Sequence, residues 1–237
     1  SQMPLSFFLK FFQNHGLFKL KNRPQWYTVK NRSRTYVNKI LNMISGEHYK
    51  NYKINLIKRH KENIEIFYGE KNEFFIYDKV VIATHADEAL SILEKPTNEE
   101  KNLLSNFKYK NNLAVIHTDK NQMPRNKKAW SAWNAKLSKN VRENSSITYW
   151  LNLLQNLKID EDIFLSLNPF DNIEEEKILN KVTFTHPYYD KSALENQTRL
   201  KKIQNVNNTL FCGSYFGYGF HEDGITSTID MLKSFHD

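Results

Sequence analysis

Residues with the chemistry of a binding site are concentrated between Thr209 and Leu232, in the sequence TLFCGSYFGYGFHEDGITSTIDML. Four of the chain's seven glycines lie within twelve residues of this segment: Gly213, Gly217, Gly219 and Gly224. Glycine is required where the backbone adopts positive φ or where another group approaches it closely. An apolar run precedes the glycines, and Ile225, Ile229 and Leu232 follow at helical spacing. We therefore expect a strand, a glycine-rich loop and a helix.

A helix that follows flexible glycines presents free N–H groups and a partial positive charge, which suits a phosphate or an electron-rich ring oxygen. The spacing alone is equally consistent with a tight connection that packs its aromatic residues. The sequence from Gly217 to Glu222 is a near miss for the dinucleotide fingerprint, because Glu222 stands where the third glycine belongs. Too few residues follow it to complete the βαβ unit that this fingerprint requires.

Ionisable residues show no recognisable catalytic pattern elsewhere. His221 is the best candidate for acid–base chemistry because histidine titrates near neutral pH, although it could equally cap the helix. The eight histidines lack metal-ligand spacing, and no catalytic triad is legible, so we expect no metal. The single cysteine, Cys212, excludes an internal disulfide and fits a reducing compartment.

The composition is that of a globular protein: 237 residues, 40% hydrophobic, 25% charged, with a formal net charge of +8. The lysines are dispersed, and the basic clusters Lys19–Lys21, Lys58–Lys61 and Arg125–Lys128 are short. We therefore expect a solvated basic surface and no nucleic-acid site, while contact with anionic lipid headgroups is compatible with the same charge. Without a signal peptide or an apolar run of transmembrane length, the expected location is the cytoplasm.

Hydrophobic periodicity within Met3–Leu20 predicts a helical face that ends near Asn14-His-Gly16. An exposed turn at Asn31 and Arg32 and a helix over Thr35–Met43 are expected to follow. Alternation then predicts an antiparallel meander, followed by a buried strand ending at Ala83 and Thr84 and a helix over His85–Leu93. Further along, Thr97 and Glu100 have the spacing of a capping box, and Asp190 is expected to cap a helix that continues to Ile203.

The middle of the chain is expected to be rich in strands, over Tyr109–Thr118, Ala129–Asn134, Ser146–Leu153, Ile163–Leu167 and Thr183–His186. Trp130, Trp133, Tyr149 and Trp150 could face a pocket or fill the core. Adjacent Tyr149 and Trp150 must point to opposite faces, so only one of them can line a given cavity. Asn152 and Gln155 could supply orienting hydrogen bonds, and His186 is expected to be structural, with a substrate-facing base as the alternative.

Several segments in combination resemble the NAD/FAD-binding proteins of the flavin-containing amine oxidoreductase superfamily. They are WYTVKNRSRTYV (26–37), DKVVIATHADEAL (78–90), NLAVIHTDKNQMPRNKKAWSAWN (112–134), SITYWLNLLQ (146–155), FLSLNP (164–169), FTHPYYDKSALENQTRLKKIQ (184–204) and the glycine-rich segment. The resemblance extends over nearly the whole chain but matches only the later part of such a protein. The N-terminal Rossmann unit with GxGxxG, which holds the ADP half of FAD in the family, has no counterpart here, and Asn31 and Arg32 replace glycines common in the family.

The resemblance implies an α/β (α+β) fold, in which a partial FAD-binding domain is combined with a mixed, largely antiparallel substrate domain. The implied boundaries are 1–90 and 191–237 for the FAD-binding part and 91–190 for the substrate domain. The residues implied to bind FAD are Ala83, Thr84, Gly213, Ser214, Tyr215, Gly217, Tyr218, His221, Glu222, Asp223, Gly224 and Ile225, and Tyr215, Tyr218 and Phe220 would wall the ring. The candidate substrate residues are Trp133, Trp150 and Asn152.

These features lead to two principal functional hypotheses. In the first, the chain is the C-terminal part of an FAD-dependent oxidoreductase that removes hydride from a C–H bond of an amine or lipid-related small molecule, with the missing Rossmann half in the same protein. Desaturation of a lipid or polyene is a variant that differs only in substrate. In the second, the chain is a truncated or non-catalytic module that binds no flavin alone and acts in interaction or assembly.

Overall fold

The computed structural model describes residues 4–22, 25, 27–70, 73–137 and 145–235. The predicted helix start at Met3, together with Trp26 and His236, lies outside these residues. The chain divides into two compact units. One, here called the sheet unit, is Lys110–His186, and the other, the discontinuous unit, combines the chain before residue 110 with the chain after residue 186.

The helices and strands of both units follow one another along the chain. In order they are α1 (Leu5–Asn14), α2 (Ser33–Met43), β1 (Ile54–Arg59), β2 (Ile64–Tyr68), β3 (Glu73–Tyr77), β4 (Val80–Ile82), α3 (Ala86–Ile92), α4 (Asn98–Leu104), β5 (Lys108–His117), β6 (Trp133–Leu137), β7 (Ser145–Trp150), α5 (Leu151–Leu154), β8 (Phe164–Leu167), β9 (Ile178–Tyr188), α6 (Lys191–Gln197), β10 (Thr209–Phe211) and α7 (His221–Lys233). The mixture of helices with parallel and antiparallel sheets confirms the predicted α/β class.

Two small sheets organise the discontinuous unit. The predicted meander is confirmed as an antiparallel sheet in the order β1-β2-β3. Strands β4 and β10, separated by more than a hundred residues in sequence, pair in parallel, with Thr209 opposite Val80 and Phe211 opposite Ile82. This pairing brings the predicted buried strand beside the strand that leads into the glycine-rich loop.

The core of the discontinuous unit is fixed by apolar packing and one buried ion pair. Ile64, Leu103, Leu104, Leu200 and Phe211 are fully buried in one cluster. Beside them the Arg59 guanidinium donates two hydrogen bonds to the Glu100 carboxylate, at 2.5 and 2.9 Å, and both side chains are at most 5% exposed. Glu100 also completes the predicted capping box with Thr97. One carboxylate therefore caps α4 and neutralises a buried cation.

The sheet unit is built on strands in the order β6-β7-β8-β5-β9. The predicted strand over Ala129–Asn134 is wrong, because Lys127–Ala129 form a 3₁₀ turn and β6 begins only at Trp133. The Asn126 side chain accepts a hydrogen bond from the Lys128 N–H, and such local bonds compete with strand pairing. His186 lies in β9, where its Nδ1 is 3.0 Å from the Asn112 amide nitrogen.

The predicted helix ends are confirmed in one case and wrong in another. Helix α1 ends at Asn14, as predicted, and the chain then turns at Gly16, which has φ of 64°. Asp190 caps α6 as predicted, accepting a hydrogen bond from the Ala193 N–H, but this helix ends at Gln197 and Leu200–Ile203 form a separate 3₁₀ turn. The turn before α2 has positive φ at both Asn31 and Arg32, the backbone conformation that glycine favours.

Candidate functional site

The carboxyl ends of the parallel strands β4 and β10 meet the amino end of α7, and we call this place the strand-end site. The Cys212 N–H donates to the Ile82 carbonyl at 3.2 Å, so the two strands leave the sheet side by side. The next residue, Gly213, donates its N–H to the Ser227 hydroxyl of α7 at 3.0 Å. Ligands of α/β proteins bind preferentially at such strand ends.

Three of the four glycines in the loop are explained by the chain itself. Gly213 has φ of 153°, and a Cβ there would lie 2.8 Å from the Tyr215 ring. A Cβ on Gly217 would overlap the Asp223 carboxylate. Gly219 has φ of 95°, and a Cβ there would lie 3.1 Å from the Tyr189 hydroxyl. These three positions need glycine whether or not a ligand is bound.

Gly224 is different, because nothing in the chain crowds it. A Cβ at this position would have the Ser214 backbone nitrogen, 3.9 Å away, as its nearest neighbour, and the residue is in ordinary helical conformation. Glycine in a helix costs stability relative to alanine. A Cβ here would make an ordinary van der Waals contact with the Ser214 backbone, so the chain itself does not require glycine at this position. A glycine that the chain does not require fits a helix start that another molecule approaches closely.

The first turn of α7 supplies hydrogen-bond donors to the same place. The first bond of the helix runs from the Gly224 N–H to the Phe220 carbonyl, at 3.2 Å. The N–H groups of His221, Glu222 and Asp223 precede that bond and have no acceptor within the helix. Together with the helix dipole they form a donor set that favours an anion or a partly negative oxygen. The strand-end site thus fits the electron-rich edge of a flavin or its phosphates.

The side chains around α7 have distinct roles. The Asp223 carboxylate accepts a hydrogen bond from the Phe220 N–H at 2.9 Å, so it caps the helix. His221 and Glu222 are exposed, and the His221 Nδ1 lies 3.3 Å from the Tyr36 hydroxyl of α2. Ile225 is 57% exposed.

Tyr215 lies in the core, contrary to the expectation that its ring walls a cofactor. It is 2% exposed, and its ring makes an edge contact with Phe107 at 5.2 Å. Burial raises the pKa of Tyr215 well above its usual value, and its hydroxyl has no hydrogen-bond partner among the described residues. Tyr218 and Phe220 remain nearer the surface, where they pack against Phe7 and Phe11 of α1.

Ala83 and Thr84 follow β4 directly and are both exposed at the strand-end site. The Thr84 hydroxyl donates to the His85 carbonyl at 3.1 Å, and the Thr84 carbonyl is 3.6 Å from the position of a Cβ on Gly213. The structure thus brings together Ala83, Thr84, Gly213, Ser214 and the first turn of α7, residues that the sequence places more than a hundred positions apart.

The candidate substrate residues of the sheet unit do not lie on one face. Trp133 of β6 is opposite Tyr149 of β7, and their rings are 5.3 Å apart. Trp150 points to the other face, where its ring packs 5.3 Å from Trp130 and its Nε1 donates to Asp162. The prediction that Tyr149 and Trp150 face opposite ways is confirmed, and the two candidate substrate tryptophans, Trp133 and Trp150, therefore lie on opposite faces of the sheet.

Asn152 has a structural role in the sheet unit. Its amide donates to the Glu161 carbonyl at 2.7 Å, and its carbonyl accepts from the Ile163 N–H at 2.7 Å. These bonds hold the loop that leads into β8, so they use the polar atoms expected to orient a substrate. The side-chain carbonyl oxygen of Gln155 is buried and has no hydrogen-bond partner in the part of the chain that is described.

A buried polar row was not visible in the sequence. His117 of β5 and Ser166 of β8 lie side by side, with 2.9 Å between Nε2 and the hydroxyl, and the hydroxyls of Ser166 and Thr148 are 2.8 Å apart. The Asp119 N–H donates to the His117 Nδ1, so Nε2 carries the proton and donates it to Ser166. His117 therefore cannot act as a base toward Ser166, and the row is structural.

Among the described residues, no three His, Cys, Asp or Glu side chains are grouped so that they could hold a metal ion. None of the helices in the described ranges has the length and apolar character needed to cross a bilayer.

Comparisons with known proteins place this geometry in a structural context. No protein-family model and no curated protein matches the sequence. Among solved structures, the chain is similar to a protoporphyrinogen oxidase-like protein from Exiguobacterium sp. 255-15 (TM-score 0.65, 10% identity, 97% of this chain and 57% of that chain covered). It is also similar to a CLA-producing fatty acid isomerase from P. acnes (TM-score 0.60, 12% identity, 86% and 52% covered) and to putrescine oxidase with bound putrescine (TM-score 0.56, 9% identity, 86% and 53% covered).

These similarities confirm the predicted resemblance at the level of the fold, which the chain shares with about half of each of these structures. The chain spans between 52% and 57% of the length of these structures.

Proposed function

We propose that this chain is the C-terminal part of an FAD-dependent oxidoreductase, in which the strand-end site receives the flavin. When bound, the flavin would accept a hydride from a C–H bond of the substrate. The chain's own residues would bind and orient the cofactor and stabilise charge. The observation that carries the proposal is a glycine at position 224 that the chain's own packing does not require, beside helix N–H groups that suit an electron-rich oxygen.

The first turn of α7 would stabilise negative charge on the cofactor. The N–H groups of Glu222 and Asp223 are fixed by the helix, so they need no reorganisation when charge develops nearby. The Asp223 carboxylate, held by the Phe220 N–H, would not act in proton transfer. His221 is the ionisable group best placed for that role, next to the Tyr36 hydroxyl.

The loop backbone and the end of β4 would hold the remaining part of the cofactor that this chain contacts. Gly213 and Ser214 would pass close to the pyrophosphate or ribityl chain, and Ala83 and Thr84 would line the other side. The ADP half would require a Rossmann unit, which we propose lies in the same protein. This chain covers only 52% and 57% of two similar solved structures, which supports a further part of the protein.

A small apolar or amphipathic substrate would be recognised by the sheet unit. Trp133 and Tyr149 form a half-open aromatic pair on one face of the sheet, which could bind an alkyl chain or an amine. Among the similar proteins, one acts on a fatty acid and another binds putrescine. We propose an amine or lipid-related substrate on this basis, and no nucleic-acid partner.

The experiment that tests the function is an absorbance spectrum, taken for this chain alone and for the protein carrying its upstream coding sequence. Flavin bands that appear only in the longer protein would support the oxidoreductase and would mark this chain as its later part. If neither protein shows flavin after incubation with FAD, the oxidoreductase assignment is wrong and the module that acts in interaction or assembly takes its place.

A further inference from the structure

The excess of basic over acidic residues in this chain lies entirely in its first 46 residues. Residues 1–46 contain eight of the 34 lysines and arginines and none of the 26 acidic residues, since the first acidic residue is Glu47. The remaining 26 basic residues are balanced by 26 acidic residues, so the whole formal charge of +8 belongs to residues 1–46. The lysines are dispersed along the chain as expected, whereas the acidic residues all lie at or after Glu47.

The first helix of this basic segment has two apolar faces. One face packs inward, where Phe7 contacts Tyr189 and Tyr218 and Phe11 contacts Phe220. The other carries Leu5, Phe8 and Leu9 at helical spacing, exposed by 68%, 42% and 44%. No residue of α1 is fully buried. A helix that is docked on one side and still apolar on the other is expected where a second apolar surface meets it.

The second helix repeats this arrangement. Val37 and Ile40 of α2 and Ile44, which follows the helix directly, are at helical spacing and are 41%, 52% and 50% exposed. Arg34 precedes Val37 by one turn, so its exposed guanidinium flanks the apolar side. Between the two helices, Leu17, Phe18 and Leu20 are also exposed, by 43%, 55% and 90%.

Both helices adjoin the start of α7, so their outer sides belong to one part of the molecule. The Phe11 and His15 rings of α1 lie 5.6 Å from Phe220. The Tyr36 hydroxyl of α2 lies 3.3 Å from His221. Phe220 and His221 are consecutive, which places the exposed apolar side chains and the basic residues around the amino end of α7.

We propose that residues 4–22, 25 and 27–44 form a docking surface for a membrane rich in anionic lipids, which we call the basic apolar surface. A bilayer interface offers acyl chains for Leu, Phe and Ile and anionic headgroups for Lys and Arg, and it requires no acidic residue in the protein. Nucleic acid would use the charge but leave the exposed leucines and phenylalanines without a partner. This surface is independent of whether flavin binds.

The test measures co-sedimentation with vesicles of phosphatidylcholine alone and of phosphatidylcholine with 30% phosphatidylglycerol. We expect binding to the anionic vesicles only. The variant Lys21→Gln, Lys30→Gln, Arg34→Gln should bind about 100-fold more weakly, at about 1 kcal/mol per basic residue near the surface. The matched control Arg125→Gln, Lys158→Gln, Lys191→Gln removes the same charge elsewhere and should bind like the wild type.

A second measurement tests the apolar part of the surface. The only cysteine, Cys212, is buried, so Leu9→Cys can be labelled selectively with a polarity-sensitive dye. We expect a blue shift of its emission on adding anionic vesicles and no shift for the control Lys158→Cys. Circular dichroism and thermal melting would show that each variant is folded.

Several outcomes would overturn the proposal. Equal binding to neutral and anionic vesicles, or an equal loss of vesicle binding in the two triple variants, would show that the basic apolar surface has no electrostatic role. An unchanged dye spectrum would show that the apolar side chains do not enter the interface. Binding by this chain but not by the protein with its upstream sequence would assign the exposed faces to the rest of the fold. Displacement from the vesicles by a short DNA duplex would assign the surface to nucleic acid.

Discussion

The Ser214 backbone nitrogen is the nearest neighbour that a Cβ on Gly224 would meet outside its own stretch of helix, at an ordinary contact distance of 3.9 Å. The other three glycines of the loop are required by positive φ or by a neighbouring side chain. Gly224 alone has no reason within the chain to be glycine. This difference is the sharpest indication that the amino end of α7 is approached by another molecule, and it leads directly to a test.

The substitution Gly224→Ala should separate folding from cofactor binding. Alanine is the better helix former, so we expect the free energy of unfolding of the flavin-free protein to rise by about 0.5–1 kcal/mol. In the flavin-binding protein, the same methyl group should reduce flavin retention, and Gly224→Val should reduce it further. Urea unfolding and the ratio of visible to ultraviolet absorbance measure the two effects.

Gly46→Ala is the matched control for this pair of measurements. A Cβ on Gly46 would also have its nearest neighbour, the Ile44 side chain, at 3.9 Å, and Gly46 is far from the loop in sequence. It should leave flavin retention unchanged. Full flavin occupancy in Gly224→Val would remove Gly224 from the site.

The ion pair between Arg59 and Glu100 should dominate the stability of the discontinuous unit. Glu100→Ala leaves a buried guanidinium without its carboxylate and removes the cap of α4, so we expect a loss of about 3–5 kcal/mol in the free energy of unfolding. Urea unfolding measures this loss. The exposed pair Lys191 and Glu195 provides the control, since Glu195→Ala should change stability very little. Similar losses in the two variants would contradict a special role for burial.

Stability should fall when the pH is lowered through the range in which unfolded histidine titrates. Burial lowers the pKa of His117 below its ordinary value of 6.5. Below pH 6.5 the unfolded chain takes up a proton that the folded chain resists, so stability is full above this pH and decreases toward the lower folded pKa. The midpoint of urea unfolding at pH 7.5 and at pH 5.5 measures the decrease.

His117→Gln should weaken this dependence, because glutamine can keep a hydrogen bond to Ser166 but does not titrate. The variant will be less stable than the wild type at pH 7.5. The quantity to compare between the two proteins is therefore the loss of stability between pH 7.5 and pH 5.5. An unchanged difference would show that other groups cause the acid sensitivity.

Alanine substitutions at Trp133 and Trp150 of the sheet unit should affect stability very differently. Trp150 packs against Trp130 and donates to the buried Asp162, so Trp150→Ala should cost about 3 kcal/mol in the free energy of unfolding. Trp133 is 62% exposed, so Trp133→Ala should cost much less. In an active protein, we expect Trp133→Ala to raise KM for the substrate while stability changes little. A stability loss equal to that of Trp150→Ala would place Trp133 in the core.

Features set by neighbouring residues were predictable from the sequence. The capping box of Thr97 and Glu100 and the cap at Asp190 depend on spacings of three residues, and both are present. The meander follows from alternation, and the opposite directions of Tyr149 and Trp150 follow from the geometry of any strand. The start of β6 was missed because the Asn126 side chain bonds to the nearby backbone and forms a turn in an otherwise strand-like segment.

The sequence by itself determined the strand, glycine-rich loop and helix from Thr209 to Leu232, because local spacing decides whether a segment forms a strand, turn or helix. The tertiary structure alone decided that Tyr215 fills the core, that Trp133 and Trp150 lie on opposite faces, and that Ala83 and Thr84 reach the same loop. It also separated Gly224 from the glycines that the chain itself requires. These outcomes depend on through-space contacts between atoms, which sequence periodicity does not encode.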